Sequence, residues 1–120
     1  MSEKKNVLKD KSFSFAIRIT NLYKYLSTHK NEYVLSKQLL RSGTAVGALI
    51  RESQNAESKA DFIHKLSIAQ KECDESIYWI ELLFHTHYLS SSEYESISSE
   101  ATEILKIIRS IIITSKSKNS

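Results

Sequence analysis

Proline is absent from this 120-residue chain, and only two glycines interrupt it. Without the two residues that most often break regular structure, long uninterrupted helices are the expected form. A lone cysteine, Cys73, excludes an intrachain disulfide and fits a reducing cytoplasm. The opening MSEKKNVLKDKS has no apolar run behind its lysines, so it does not read as a secretory leader. The most apolar segment, Ile104 to Ile113, is broken by Lys106 and Arg109 and is too short to span a bilayer, so no membrane association is expected. The sequence holds no glycine-rich phosphate loop, no nucleophile elbow and no zinc-ligand spacing.

What is there is an ordinary soluble composition, 41% apolar and 26% charged, in a length that suits one domain with one core. Charge is unevenly placed. Residues 1–51 carry ten Lys/Arg against three Asp/Glu, a surplus of seven, and residues 52–120 carry seven against eleven, a deficit of four. Such asymmetry marks a phosphate-binding face, a basic surface that meets an acidic one on a partner subunit, or a solvated helix face.

Apolar residues recur at helical spacing in four segments. Phe15, Ile19, Leu22 and Leu26 predict a first helix over about 11–27, capped by Asp10 or Ser12. Ser36 is the candidate N-cap of a second, over about 36–54, which buries Leu39, Ser42 or Gly43, Val46, and Leu49 or Ile50. Ser58 and Asp61 form a capping-box pair for a third, over about 58–86, with Phe62, Leu66, Ala69, Cys73, Ile77, Ile80 and Phe84 on its inner face. Ser92 and Glu95 repeat the pattern for a fourth, over about 92–115, with Tyr94, Ile97, Ala101, Ile104, Ile108 and Ile111 or Ile112 inside. Residues 1–10 and 116–120 are expected to fray. Short connectors make neighbours antiparallel, which gives an all-α, up-down-up-down four-helix bundle over residues 1–120.

Gly43 and Gly47 share one face of the second helix. A glycine in a helix interior costs up to about 1 kcal/mol relative to alanine, so two at helical spacing imply close approach of another backbone, within the bundle or between subunits. On the third helix Glu72, Glu75 and Trp79 line one ridge, and Lys71, Glu75 and Tyr78 the next. Carboxylates beside an apolar stripe need counter-charges, and Lys37, Arg41 and Arg51 on the second helix are the candidates. A di-metal bundle site needs paired Glu-x-x-His motifs. Asp61 with His64 has that spacing only once, and Glu81 with His85 makes one weak pair, so neither a metal nor another cofactor is expected. Cys73 sits on the apolar stripe and reads as a small hydrophobe. An enzyme is not the expectation. A nucleic-acid reading rests on Lys4, Lys5, Lys9, Lys11, Arg18, Lys24, Lys37, Arg41 and Arg51, with Tyr23, Tyr25 and Tyr33 interspersed.

The segments QLLRSGTAVGALIRE, ESKADFIHKLSIAQKE and ESIYWIELL carry a resemblance to the 23S rRNA intervening-sequence proteins. It extends over about Ser12 to Ile112 through an ordered set: S-G-x-x-V-G-A from Ser42, D-F at Asp61, K-E-x-x-E from Lys71 and Y-W at Tyr78. The resemblance implies a bacterial four-helix bundle that assembles as a homopentamer. A related bundle, the accessory variability protein of diversity-generating retroelements, binds nucleic acid and a reverse transcriptase. Less directly, therefore, the resemblance implies RNA or DNA binding and a protein partner of that kind. Together, residues and resemblance predict a non-enzymatic, cytoplasmic, oligomeric bundle whose Lys9, Lys11, Lys37, Arg41 and Arg51 meet phosphates. Gly43, Gly47, Lys71, Glu72, Glu75 and Trp79 would serve helix packing or assembly. The alternative is an assembly scaffold that does not bind nucleic acid.

Overall fold

The computed structural model describes residues 3–117, with the side chains of residues 4–6 excepted. It contains α1 (Glu3–His29), α2 (Leu35–Ser53), α3 (Lys59–His85) and α4 (Ser91–Ser117). A helix of 27 residues is about 40 Å long. The molecule measures 52 × 22 × 19 Å, a cross-section that fits two helices by two at the usual interaxial distance of about 10 Å. α1 packs on α2 and α4, and α3 packs on α2 and α4; among the described residues the backbones of the diagonal pairs do not come close. Contacts run in opposite directions along each adjacent pair. Gly43 meets Ile19 and Gly47 meets Ser12, while Ser42 meets Ser76 and Glu52 meets Lys65. This is an antiparallel four-helix bundle, as the stripes predict.

The buried positions follow a stricter rhythm than the apolar residues do. In α1 they are Leu8, Ser12, Phe15, Ile19 and Leu26, with half-buried Leu22 between the last two, and in α2 Ser36, Leu39, Gly43, Val46, Ile50 and Ser53. In α3 they are Leu66, Ala69, Cys73, Ser76, Ile80 and Leu83, and in α4 Ile97, Ala101, Ile104, Ile108 and Ile111. Each of these series alternates steps of three and four, the heptad spacing that keeps one seam facing the axis of a gently supercoiled bundle; Ser42, Leu105 and Ile112 are buried beside that seam. Serine takes a core position in α1, α2 and α3, which the apolar pattern alone passes over. The hydroxyls of Ser12, Ser36, Ser53 and Ser76 each donate to a carbonyl three or four residues back, at Lys9, Glu32, Ile50 and Glu72. Satisfied in this way, a serine packs inside as a small side chain. In α3 the rhythm moves burial onto Ser76 and Leu83 and leaves the expected Ile77 and Phe84 half-buried.

Helix starts differ from expectation at three places. α1 begins at Glu3, well before Lys11, because Leu8 continues the heptad through Ser12. Asp10 and Ser12 therefore lie inside the helix and cap nothing, and residues 3–10 are not a frayed end. Ser36 also lies inside its helix; the cap of α2 is the Glu32 carboxylate, which accepts from the amides of Val34, Leu35 and Ser36 at 3.1, 2.9 and 2.8 Å. The α4 capping box is Ser90 with Glu93 rather than Ser92 with Glu95. Ser90 Oγ accepts from the Glu93 amide at 3.1 Å, and Glu93 Oε1 accepts from the Ser90 amide at 2.8 Å. The sequence offers both registers, and stacking of Tyr94 on Phe84, at 4.3 Å between ring centres, accompanies the earlier one. The Ser58–Asp61 cap forms as expected, with the hydroxyl accepting from the Asp61 amide at 3.0 Å and the carboxylate reaching back to the Glu57 amide. Of the ends expected to fray, residues 1–2 and 118–120 lie outside the described residues, while 116–117 still belong to α4.

The chain leaves α1 and α3 without glycine. Asn31 and His87 take the left-handed conformation there, with φ of 55° and 73°. After α3 the amides of His87 and Tyr88 return to the carbonyls of Phe84 and Leu83, the pairing of a Schellman cap.

Candidate nucleic-acid and assembly surfaces

Because α1 and α2 form one hairpin and α3 and α4 the other, the charge asymmetry of the sequence becomes a division of the bundle into a basic and an acidic half. From Lys11 to Arg51 the only carboxylate is Glu32. That carboxylate is buried, 6% exposed, and spent on the start of α2. Burial opposes its ionisation, but the amides of Leu35, Ser36 and Val34 outweigh burial and hold its carboxyl below the usual range. From Lys11 to Arg51, then, no exposed negative side chain interrupts the cations; the exposed carboxylates of these two helices, Glu3, Asp10 and Glu52, lie outside that stretch.

The expected cations divide into free and engaged. Lys9 and Lys37 are exposed and form no ion pair among the described residues, as do Lys24 and Lys30 near the α1–α2 connector. Lys11 bridges to Glu103 of α4 at 3.1 Å. Arg51 lies with its guanidinium carbon 5.6 Å from the centre of the Phe13 ring. The side chains of Lys4 and Lys5 lie outside the described residues. Arg18, which pairs with Glu100 at 3.0 Å, is a second bridge from α1 to α4.

Arg41 is the counter-charge that the α3 carboxylates need. Its Nη2 lies 2.6 Å from Glu75 Oε2 and 3.1 Å from Glu72 Oε1. The second contact is an ion pair without hydrogen-bond alignment, so the buried Glu72 Oε1 keeps no hydrogen bond. Trp79 Nε1 donates to the same Glu75 oxygen at 3.0 Å. The hydrogen bond to Glu75 and then the adjoining Glu72 carboxylate raise the Arg41 pKa, and hydrogen bonds from Trp79 and then Arg41 lower that of Glu75. Lys71 is exposed and joins no ion pair among the described residues, and Lys37 and Arg51 pair with neither glutamate. The ridge thus assembles around one arginine.

The glycines act within the bundle. A Cβ on Gly43 would sit 3.0 Å from Ile19 Cγ1, and one on Gly47 would sit 3.3 Å from the Ser12 carbonyl oxygen. Both allow α1 and α2 to close. Small residues along this seam leave a surface groove of about 390 Å³ flanked by Phe13 and Arg51. A second cleft, of about 280 Å³, opens at the seam between α1 and α4 beside Tyr25.

The remaining reactive groups are quiet. Cys73 is buried, donates to the Ala101 carbonyl at 3.3 Å, and has its thiol pushed up to about 12 by burial, with Asp74 adding and Arg109 opposing. At neutral pH it is a thiol and not a nucleophilic thiolate. Asp61 is committed to the α3 cap, and among the described residues no three His, Cys, Asp or Glu side chains gather as metal ligands. Among the same residues no helix is long and apolar enough to cross a membrane.

No curated protein matches the chain. A crystal structure from Bacteroides thetaiotaomicron, described as a protein of unknown function from the S23 ribosomal protein family, is similar to it over 92% of this chain and 98% of that one. The two share 56% sequence identity, and the TM-score is 0.91. Residues 4–110 match the model of the family described as 23S rRNA-intervening sequence protein. With nearly its whole length matched, this chain belongs to the 23S rRNA-intervening sequence protein family.

Proposed function

We propose that the protein is a non-enzymatic, self-associating bundle of the bacterial cytoplasm that holds RNA or DNA against its α1–α2 half. The observation that carries this reading is the stretch from Lys11 to Arg51, where the sole carboxylate is buried while Lys24, Lys30 and Lys37 stand exposed and form no ion pair among the described residues. Phosphate binding needs only such cations, and its strength falls as salt displaces the released counterions. Lys9, Lys37 and Arg51 remain available to phosphates, whereas Lys11 and Arg41 are engaged with Glu103 and with Glu72 and Glu75. A homopentamer would repeat this face five times and turn a weak patch into a strong one. A protein partner such as a reverse transcriptase would meet the same face.

The test is fluorescence anisotropy of labelled single-stranded RNA and DNA with the intact protein across a salt series. Affinity should fall as salt rises, with a logarithmic slope of about −0.7 for each phosphate contacted, and Lys37→Ala should make the slope shallower by about that amount. Absence of binding, or binding indifferent to salt, overturns the reading.

One set of contacts favours the assembly scaffold instead. Arg51 lies over exposed Phe13, and Ile17 one turn along α1 is also exposed, so an apolar patch with a cation at its edge faces outward. On that reading Arg51→Glu dissolves the oligomer, and an unchanged sedimentation profile sinks it.

A further inference from the structure

The cleft between α1 and α4 has a character that the basic face alone does not explain. Leu22, Leu89 and Ile97 supply its apolar lining, and the polar groups of Asn21, Arg18 and Glu93 stand around it. Tyr25 completes the wall, 44% exposed, with its ring stacked on His29 at 5.1 Å and 20° between planes. Arg18, Leu22, Tyr25 and His29 follow one another at steps of four, three and four, with Asn21 beside Leu22, so they share one face of α1 that ends at the connector. The cleft is a slot of about 280 Å³ open to solvent, with apolar and polar groups on its walls. A flat heterocycle fits such a slot, with apolar faces to cover and polar edges to satisfy.

The surroundings select the kind of heterocycle. Lys24 adjoins Tyr25 in the chain, and Lys30 follows His29; both are exposed and form no ion pair among the described residues. They offer positive charge beside an aromatic wall, the combination that holds single strands by stacking bases and tracking phosphates. Glu93 does not spoil this arrangement. Its Oε1 is drawn to the Ser90 amide at the start of α4. A carboxylate beside the slot also accepts from an exocyclic amino group, while the Asn21 carboxamide offers both a donor and an acceptor.

We infer that the α1–α4 cleft receives one unstacked nucleobase of a single-stranded RNA or DNA, with Tyr25 as its stacking wall and Lys24 and Lys30 beside the neighbouring phosphates. The inference rests on the nucleic-acid reading above and adds strandedness and a location to it. A duplex keeps its bases stacked and meets only the cations.

The experiment compares the wild-type protein with Tyr25→Ala, Tyr25→Phe and Asn21→Trp in anisotropy titrations. The probes are a labelled single-stranded RNA, its duplex and a mononucleotide, and circular dichroism confirms that each variant is folded. Tyr25→Ala should weaken single-strand binding about tenfold, the value of one base stacked on an aromatic ring, with the salt slope unchanged. Tyr25→Phe should bind as the wild type does, since it keeps the ring. Asn21→Trp, which plugs the slot from an exposed position, should weaken single-strand binding independently of any change at Tyr25. Duplex binding should not respond to any of the three. Wild-type binding to single strands with no loss in Tyr25→Ala or Asn21→Trp overturns the cleft assignment and leaves the basic face standing. Equal affinity for the mononucleotide and the strand overturns it in favour of a free nucleotide. No binding to any of the three probes removes the nucleic-acid reading itself and the cleft with it.

Discussion

Against α2, helix α1 closes until a Cβ on Gly43 would have only 3.0 Å to Ile19; against α4 it is bridged by the long side chains of Lys11 and Arg18 over an open cleft. The same helix thus has a shut flank and a slack one. Backbone contact fixes the spacing of the hairpin and leaves only a groove along its outer surface, whereas charged bridges tie α1 to α4 through side chains that can move. The buried Glu32 clamp belongs to the shut side, because it ties the connector of the hairpin to the first turn of α2. The start of α4, by contrast, is capped by exposed Ser90 and Glu93, and Glu93 also lines the cleft. The two flanks differ in what holds them: packed backbone sets the shape on one, and exposed side-chain bridges span the other.

The largest effect expected from breaking this contrast is at Glu32. Glu32→Ala leaves the amides of Val34, Leu35 and Ser36 without their acceptor and should lower unfolding free energy by about 2 kcal/mol, read from urea denaturation at neutral pH. Its carboxyl pKa is lowered on folding, so the stabilisation is complete above the unfolded carboxylate's range and disappears as pH falls through the depressed folded value. The stability difference between the wild type and Glu32→Gln should therefore be flat near neutrality and vanish in acid. A difference that grows as pH falls contradicts the clamp.

A smaller effect is expected at the glycines, and it differs between them. Gly43→Ala must push the buried, β-branched Ile19 and should destabilise by about 1–2 kcal/mol despite the gain in helix propensity. Gly47→Ala meets the Ser12 carbonyl at 3.3 Å, and a helix-propensity gain of up to about 1 kcal/mol offsets the crowding, so its melting temperature should shift less. Equal stability of Gly43→Ala and the wild type would show that the flank is not closed by glycine.

The smallest effect belongs to the slack flank. Arg18→Ala removes a partly exposed ion pair to Glu100 and should change stability by about 0.5 kcal/mol or less, with the loss shrinking as salt is added. A loss of the size expected for Gly43→Ala would mean that charge, and not packing, holds α4 in place.

Much of this was open to reading in the chain. Apolar spacing gave the four helices, Gly43 and Gly47 announced a close approach, and the Glu72–Glu75 ridge asked for the arginine that Arg41 provides. The clamp at Glu32 escaped because a lone glutamate in the polar stretch from His29 to Val34 has no pattern around it. The early start of α1 is hidden because Ser12 fits a helix cap as well as a core position. A serine can hide its hydroxyl against its own helix, so at heptad positions chemical polarity does not mean exposure. The capping register of α4 was ambiguous in the sequence itself, since Ser90–Glu93 and Ser92–Glu95 satisfy the same rule. Lys11 and Arg41 illustrate the same limit for the candidate site: a cation's type is visible in sequence, but whether a carboxylate already holds it is not.

Sequence alone determined the number of helices, the apolar stripe of each and the segregation of charge into two hairpins, because each is a property of residues near one another along the chain. Only the tertiary structure decided which carboxylate meets which cation, which flank of α1 is shut, and that Tyr25 stands at the mouth of a cleft. Those outcomes depend on side chains that are as many as 92 residues apart, as Lys11 and Glu103 are. Such pairs are brought together only when all four helices take a common register around one core.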